Sequence, residues 1–159
     1  MKKSYLIIIG IIIVMVLIYL LRKPIKLMTN DAIDGVIKFI IAHNEGGYVN
    51  DPLDKGGETK YGISKSAFPK LDIKNLTLDK AVEIYRTKYF AKLHMIVNPQ
   101  LLYQVLDHAI NAGVSSALKL YHEGISVDEY KNKRLAFYKK LKQFPRYGAS
   151  WTSRINKSI

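Results

Sequence analysis

Cysteine is missing from all 159 residues, which excludes disulfides, thiolate metal sites and a cysteine nucleophile together. Histidine is scarce: there are four, with no His-x-x-x-His or similar ligand spacing, so no metal or other cofactor is expected. Acid is outnumbered, thirteen carboxylates standing against twenty-five lysines and arginines for a formal charge of +12. Alternation of the strand type is nearly absent, as are repeats and low-complexity tracts, which points to a mainly α protein. The basic balance favours anionic polymers. Nucleic acid is not expected among them, because no helix-turn-helix, zinc or RNP-type pattern accompanies the charge.

Charge is absent from one further stretch, Tyr5 to Leu21 (YLIIIGIIIVMVLIYLL). Seventeen helical residues rise about 25 Å, near the short limit for crossing a bilayer. Lys2, Lys3, Arg22 and Lys23 flank the stretch, and Tyr5 and Tyr19 suit the interface. No small-x-small cleavage site follows, and Pro24 sits just past the end. The expectation is a transmembrane anchor within residues 1–24, a linker over 25–30, and the cytoplasmic membrane as a partner through residues 5–21. The flanking charges are nearly balanced and leave orientation open.

Residues His43 to Ser64 (HNEGGYVNDPLDKGGETKYGIS) concentrate what the rest of the chain has little of. Four of the thirteen carboxylates and five of the ten glycines lie there. The stretch opens at a helix end. Ile33, Val36, Ile37, Ile40 and Ile41 recur at helical spacing, and Asn30 or Asp31 is placed to cap that helix. Glu45 falls four residues after Ile41 and so continues the apolar face. A carboxyl beside apolar groups loses hydration, which raises its pKa as a general acid requires. Gly46-Gly47 is the expected helix stop. Asp51, Asp54 and Glu58 compete for a second acidic role. Asp51-Pro52 suits a turn, Glu58 suits a charged pair with a lysine, and Asp54 is the choice for the group that stabilises charge or activates water. A small β-hairpin is expected between Tyr48 and Ile63.

The pattern EGGYVNDPxDxGGETxxGIS, read here from Glu45 to Ser64, resembles the signature of glycoside hydrolase family 108. That family comprises the peptidoglycan N-acetylmuramidases of phage endolysins and bacterial secretion-activating proteins. Ile84-Tyr85-Arg86 with Tyr89-Phe90 is similar to the family's IYR..YW helix. Asp107, Ala109 and Asn111-Ala112-Gly113 are similar to its D.A.N.G segment, and Arg134, Phe137, Tyr138, Gly148, Trp151 and Arg154 to its R..FY…G..W..R tail. The resemblance covers roughly residues 29 to 156. It implies a lysozyme-like helical domain with a small hairpin at the active site, and Glu45 as catalytic acid. The Glu, Asp, Thr order also resembles phage-type lysozymes, which adds Asp54 and Thr59 to the catalytic set, Thr59 placing water. Tyr48, Asp51, Tyr61, Ser64 and Asn111 are expected to meet the substrate.

Helices are expected from Thr77 through Leu93, from Asn98-Pro99 with Leu101, Leu102, Val105, Leu106, Ala109 and Ile110 buried, over Ser115 to His122, and from the Ser126–Glu129 capping box onward. Asp107 and Asn111 lie one turn apart on the third of these counted from Ile33. They read equally as a buried hydrogen-bonding pair or as cleft residues holding a sugar amide. His108 has no partner by spacing. Many family members carry a D-G-x-x-G-P stretch before the last helix; here Gly124 passes almost directly into Ser126. The catalytic domain is thus placed at 31–113 and a reduced, basic helical subdomain at 114–159. From Lys131 to the end there are nine lysines or arginines and no acid, and 20 basic against 13 acidic side chains leave +7 on residues 29–159. That tail suits an anionic wall or lipid surface.

The functional expectation is a monomeric muramidase that cleaves the β-1,4 bond between N-acetylmuramic acid and N-acetylglucosamine. Its catalytic domain would stand on the wall side of the cytoplasmic membrane, for phage host lysis. The alternatives are a membrane-tethered muramidase that opens the wall for secretion, and a catalytically silent module that binds peptidoglycan.

Overall fold

A computed structural model describes residues 11–16, 28–50 and 57–159. Asp51 and Asp54 lie outside the described residues. The first full helix, α1, spans Asn30–Asn44. Its N-cap is Thr29 rather than Asn30 or Asp31: Thr29 Oγ1 accepts from the Ala32 amide at 3.2 Å. Ile33, Val36, Ile37, Ile40 and Ile41 are all buried, as their spacing predicts.

A two-stranded sheet follows, β1 at Thr59–Lys60 and β2 at Ile63–Ser64, paired antiparallel with Lys60 opposite Ile63. Tyr61 and Gly62 both take positive φ, 55° and 75°, which is the backbone of a tight two-residue hairpin turn. The hairpin is thus shorter than the expected Tyr48–Ile63 span. Val49 joins it only through one isolated bridge to Thr59.

Helix α2, Leu78–Lys88, is capped by Thr77. It stops before Leu93, and a 3-10 turn at Phe90–Lys92 carries the chain on. Helix α3, Pro99–Ala112, starts with Asn98 Oδ1 accepting from the Leu101 amide at 2.9 Å. Every residue from Leu101 to Ala109 is buried, so α3 is the central post of the fold. Helix α4 is Val114–Leu120 and α5 is Val127–Lys139, with Ser126 Oγ accepting from the Glu129 amide at 3.1 Å. The expected single terminal helix is two. The chain turns after Lys139, and α6 runs over Phe144–Asn156 with Pro145 in its first turn, where proline's missing N–H is harmless. Helix α3 packs against α1, α4 and α5; α2 lies on α1, and α6 on α5.

The expected architecture, a helical domain preceded by a transmembrane helix, requires correction. Among the described residues no helix is long and apolar enough to cross a membrane. Of residues 5–21 only 11–16 are described, as a helical stretch with exposed side chains. The remainder of that stretch lies outside the described residues. The single-pass membrane placement falls with the anchor, and nothing among the described residues shows a membrane partner. What stands is a mainly helical fold with one small sheet.

Candidate active site

Glu45 is the C-cap of α1, in extended backbone at φ −115° and ψ 129°. Gly46 and Gly47 do not supply a left-handed stop, since neither has positive φ. Side chains from the far end of the chain close the helix instead. Lys157 Nζ donates to the His43 carbonyl at 2.5 Å and to Asn44 Oδ1 at 2.6 Å, and Arg154 Nη1 donates to the Asn44 carbonyl at 3.4 Å. Cations at a helix C-terminus satisfy its last carbonyls and oppose its dipole.

The Glu45 side chain is 14% exposed, and its Oε1 accepts from Arg154 Nη2 at 2.5 Å. Arg154 in turn holds Asp107 through Nη2 at 2.9 Å and Nε at 3.3 Å. Asp107 also pairs with Arg134, and both are fully buried. Two carboxylates and two guanidiniums thus alternate as Glu45–Arg154–Asp107–Arg134, drawn from α1, α6, α3 and α5. The set is neutral when Glu45 is ionised. Asn44 Nδ2 braces it by donating to Asp107 Oδ1 at 2.8 Å. Gln104 accepts from Arg134 Nη1 at both its carbonyl and its side-chain oxygen, at 3.2 and 3.1 Å.

Two carboxyls in one cluster have opposite acidities. Burial raises the Glu45 pKa above its ordinary value, and this outweighs the lowering by Arg154. Burial works the same way on Asp107, but there Arg134 and Arg154 together win and hold it below the usual range. The difference is that Glu45 has half a guanidinium, whereas Asp107 has one and a half. Glu45 is therefore the member able to carry and release a proton. Asp107 stays charged and fixes Arg154.

The other Glu45 oxygen rests against the hairpin turn. A Cβ built on Gly62 would fall 2.5 Å from Glu45 Oε2 and 2.5 Å from the Tyr85 hydroxyl. Only a residue without a side chain lets the turn approach so closely, and φ of 75° asks for glycine there independently. The Tyr85 hydroxyl is fixed by donating to the Tyr61 carbonyl at 2.7 Å. A cleft of 320 Å³ opens beside Glu45, with Lys38, Ile41, Gly46, Tyr61 and Leu78 in its walls. A larger cavity of 560 Å³, between the loop at Phe68–Leu71 and α2, does not include Glu45.

Of the expected site residues, Glu45 and Tyr61 share this cleft. Thr59 stands at the start of β1, its hydroxyl donating to the Gly57 carbonyl at 3.2 Å. Tyr48 is exposed, and its hydroxyl donates to Glu58 Oε1 at 2.9 Å, so Glu58 bonds a tyrosine rather than a lysine. Ser64 Oγ accepts from the Ala67 amide at 3.3 Å and stiffens the turn after β2. Asn111 is not in the Glu45 cleft. It lines a separate cavity of 370 Å³ and accepts from the Tyr138 hydroxyl at 3.1 Å. Asp51 and Asp54 lie outside the described residues.

Arg154, Arg134 and Lys157 were hidden among the nine cations of the tail. Two of those nine do not stand on the surface: the Arg134 side chain is fully buried and that of Arg154 only 13% exposed. A signal was present, because Asp107, Arg134 and Arg154 all sit at positions of the resemblance motif. His108 is buried, with Nδ1 2.9 Å from the Tyr130 hydroxyl and Nε2 without a partner among the described residues. Burial and the neighbouring Arg134 hold its pKa down at about 3, so it is a neutral core residue.

Residues 37–113 match the family model described as Glycosyl hydrolase 108. Among solved structures the chain is similar to SagA of Brucella abortus at 28% identity and a TM-score of 0.60, covering 80% of this chain and 91% of that one. No curated protein matches.

Proposed function

From the glycosyl hydrolase 108 domain carried at residues 37–113, which supports a peptidoglycan hydrolase, we propose that this chain is an N-acetylmuramidase. It cleaves the β-1,4 bond between N-acetylmuramic acid and N-acetylglucosamine, with Glu45 as general acid. The observation that carries this reading is the state of Glu45. Its carboxyl is largely buried at the mouth of a cleft, clamped on one oxygen by Arg154 and raised in pKa by burial. A buried acid above its ordinary pKa holds its proton to higher pH than a water-exposed carboxylate does, as a general acid requires.

The steps follow. Glu45 gives its proton to the glycosidic oxygen as the bond to the anomeric carbon breaks, and positive charge builds on the sugar ring. Glu45 becomes an anion, and Arg154, already in contact, neutralises it as it forms. Asp107 holds Arg154 in place through both stages. Asp54 is proposed as the second carboxylate, opposing the ring charge or orienting water, with Thr59 helping to place that water. The unit at 31–113 supplies the acid and the hairpin, and the helices of 114–159 complete the site through Arg134 and Arg154.

Digestion of purified peptidoglycan tests the bond. New reducing N-acetylmuramic acid ends are expected. New reducing glucosamine ends or free peptide ends would assign a different wall hydrolase and refute the muramidase reading.

A further inference from the structure

The ion chain at Glu45 does not end at Arg134. Arg134 Nε and Nη2 donate to the Tyr138 hydroxyl at 3.3 and 3.2 Å, and that hydroxyl donates to Asn111 Oδ1 at 3.1 Å. Tyr138 and Asn111 belong to the 370 Å³ cavity that also holds Phe137, Gln143, Tyr147 and Trp151. Polar contacts thus run unbroken from Glu45 to the wall of a second cavity.

The helices set the spacing. Asp107 and Asn111 are one turn apart on α3, and Arg154 and Trp151 are nearly one turn apart on α6. On each helix one residue belongs to the Glu45 cluster and the other to the cavity. One turn advances about 5 Å, on the scale of a single sugar ring.

The lining is specific in chemistry. Trp151 is half-buried and stacked on Tyr138, ring centroids 4.8 Å apart at 22°, with Tyr147 5.8 Å away and 43% exposed. Aromatic faces of this kind hold the apolar C–H face of a pyranose while their polar edges stay wet. Asn111 and Gln143 add amides. Because Asn111 Oδ1 is engaged by Tyr138, its Nδ2, without a partner among the described residues, is left to donate to a ligand carbonyl. No ionised side chain lines the cavity. A volume of 370 Å³ is near the lower end for ligand pockets and suits one ring rather than a chain.

We propose that this aromatic cavity is a saccharide subsite that takes a neutral N-acetylated hexosamine, an N-acetylglucosamine unit of the glycan strand. The proposal rests on the muramidase reading for the identity of the strand. The lining residues carry no ionised side chain, although the Arg146 guanidinium stacks 5.2 Å from the Tyr147 ring centroid, so the preference for the neutral sugar over N-acetylmuramic acid rests on the aromatic and amide lining. The Tyr138–Arg134–Asp107–Arg154 contacts join the occupied subsite to the carboxyl that acts.

Trp151 is the sole tryptophan, so its emission reports on this cavity alone. The full chain is titrated with chitotriose and, separately, with N-acetylmuramic acid. A saturable change in Trp151 emission is expected with chitotriose, with binding of N-acetylmuramic acid weaker by about tenfold or more. Tyr147→Ala, at an exposed position, is expected to weaken the titration by roughly tenfold and to raise KM on soluble glycan strands by a similar factor. Its kcat should fall far less than that of Glu45→Gln, which in turn should bind chitotriose like the parent. No response to either sugar, equal response to both, or an unchanged Tyr147→Ala titration would overturn the subsite. Loss of the muramidase reading reads out separately, as unchanged lysis by Glu45→Gln with the fluorescence titration intact.

Discussion

Replacing Gly62 with alanine probes the contact between the hairpin and the proposed acid. Two effects are superimposed. The backbone at φ 75° is disfavoured for a side chain, costing about 1–2 kcal/mol. The new methyl would also sit 2.5 Å from Glu45 Oε2 and 2.9 Å from Cδ. Neither neighbour gives way easily: Arg154 clamps Glu45 and the Tyr61 carbonyl holds Tyr85. Reaching ordinary contact displaces the carboxylate by about 1 Å or more, and a misplacement of about 1 Å costs on the order of 100-fold in rate. Gly124→Ala supplies the control, because Gly124 has φ 81° but nothing within 4 Å of its added Cβ. Both variants should lose roughly 2–8 °C in Tm for the backbone effect, read by thermal denaturation. Only Gly62→Ala should lose activity on peptidoglycan, by on the order of 100-fold. Activity within roughly threefold of the parent at Gly62→Ala would refute the claim that the turn fixes the carboxylate.

The other expectations concern the cluster and the core. Asp107→Asn leaves two guanidiniums facing each other without a buried anion and should cost about 3–5 kcal/mol, seen as a lowered urea midpoint. Arg154→Met removes the group that lowers the Glu45 pKa. The limb on which activity falls as Glu45 deprotonates should therefore move to higher pH, with a reduced maximum, in a pH–rate profile. His108 is held neutral with its pKa depressed from 6.5 to about 3. Its share of stability is complete above pH 6.5 and is lost as pH falls through that window, on the order of 5 kcal/mol in all. His108→Gln should flatten that part of the stability profile, and an unchanged slope would contradict the burial argument.

The sequence was most legible where periodicity and caps coincide. The Ile33–Ile41 stripe, the Asn98-Pro99 start and the Ser126–Glu129 box fall where pattern put them, because local spacing and local hydrogen bonds decide them. The raised pKa of Glu45 was readable from its place after Ile41. Its partner was not, since Arg154 lies 109 residues away and no local rule joins them. The same distance explains the helix stop: Arg154 and Lys157 close α1, so the glycines that follow are not needed as a left-handed cap. Asp107 and Asn111 divided between the two readings offered for them, Asp107 turning into the ion cluster and Asn111 to a cavity. The charge-free N-terminal run led to an expected anchor, whereas among the described residues no helix is long and apolar enough to cross a membrane.

The central claim is that Glu45 is the acid that breaks a glycan bond, and Glu45→Gln tests it most directly. Glutamine keeps the size of the side chain and an acceptor for Arg154 but has no proton to give. Peptidoglycan is digested with the parent and with this variant side by side, and the muropeptides are compared. New N-acetylmuramic acid reducing ends from the parent, and none from a folded Glu45→Gln that still binds the wall, is the expected result. Equal product from both proteins would contradict the account.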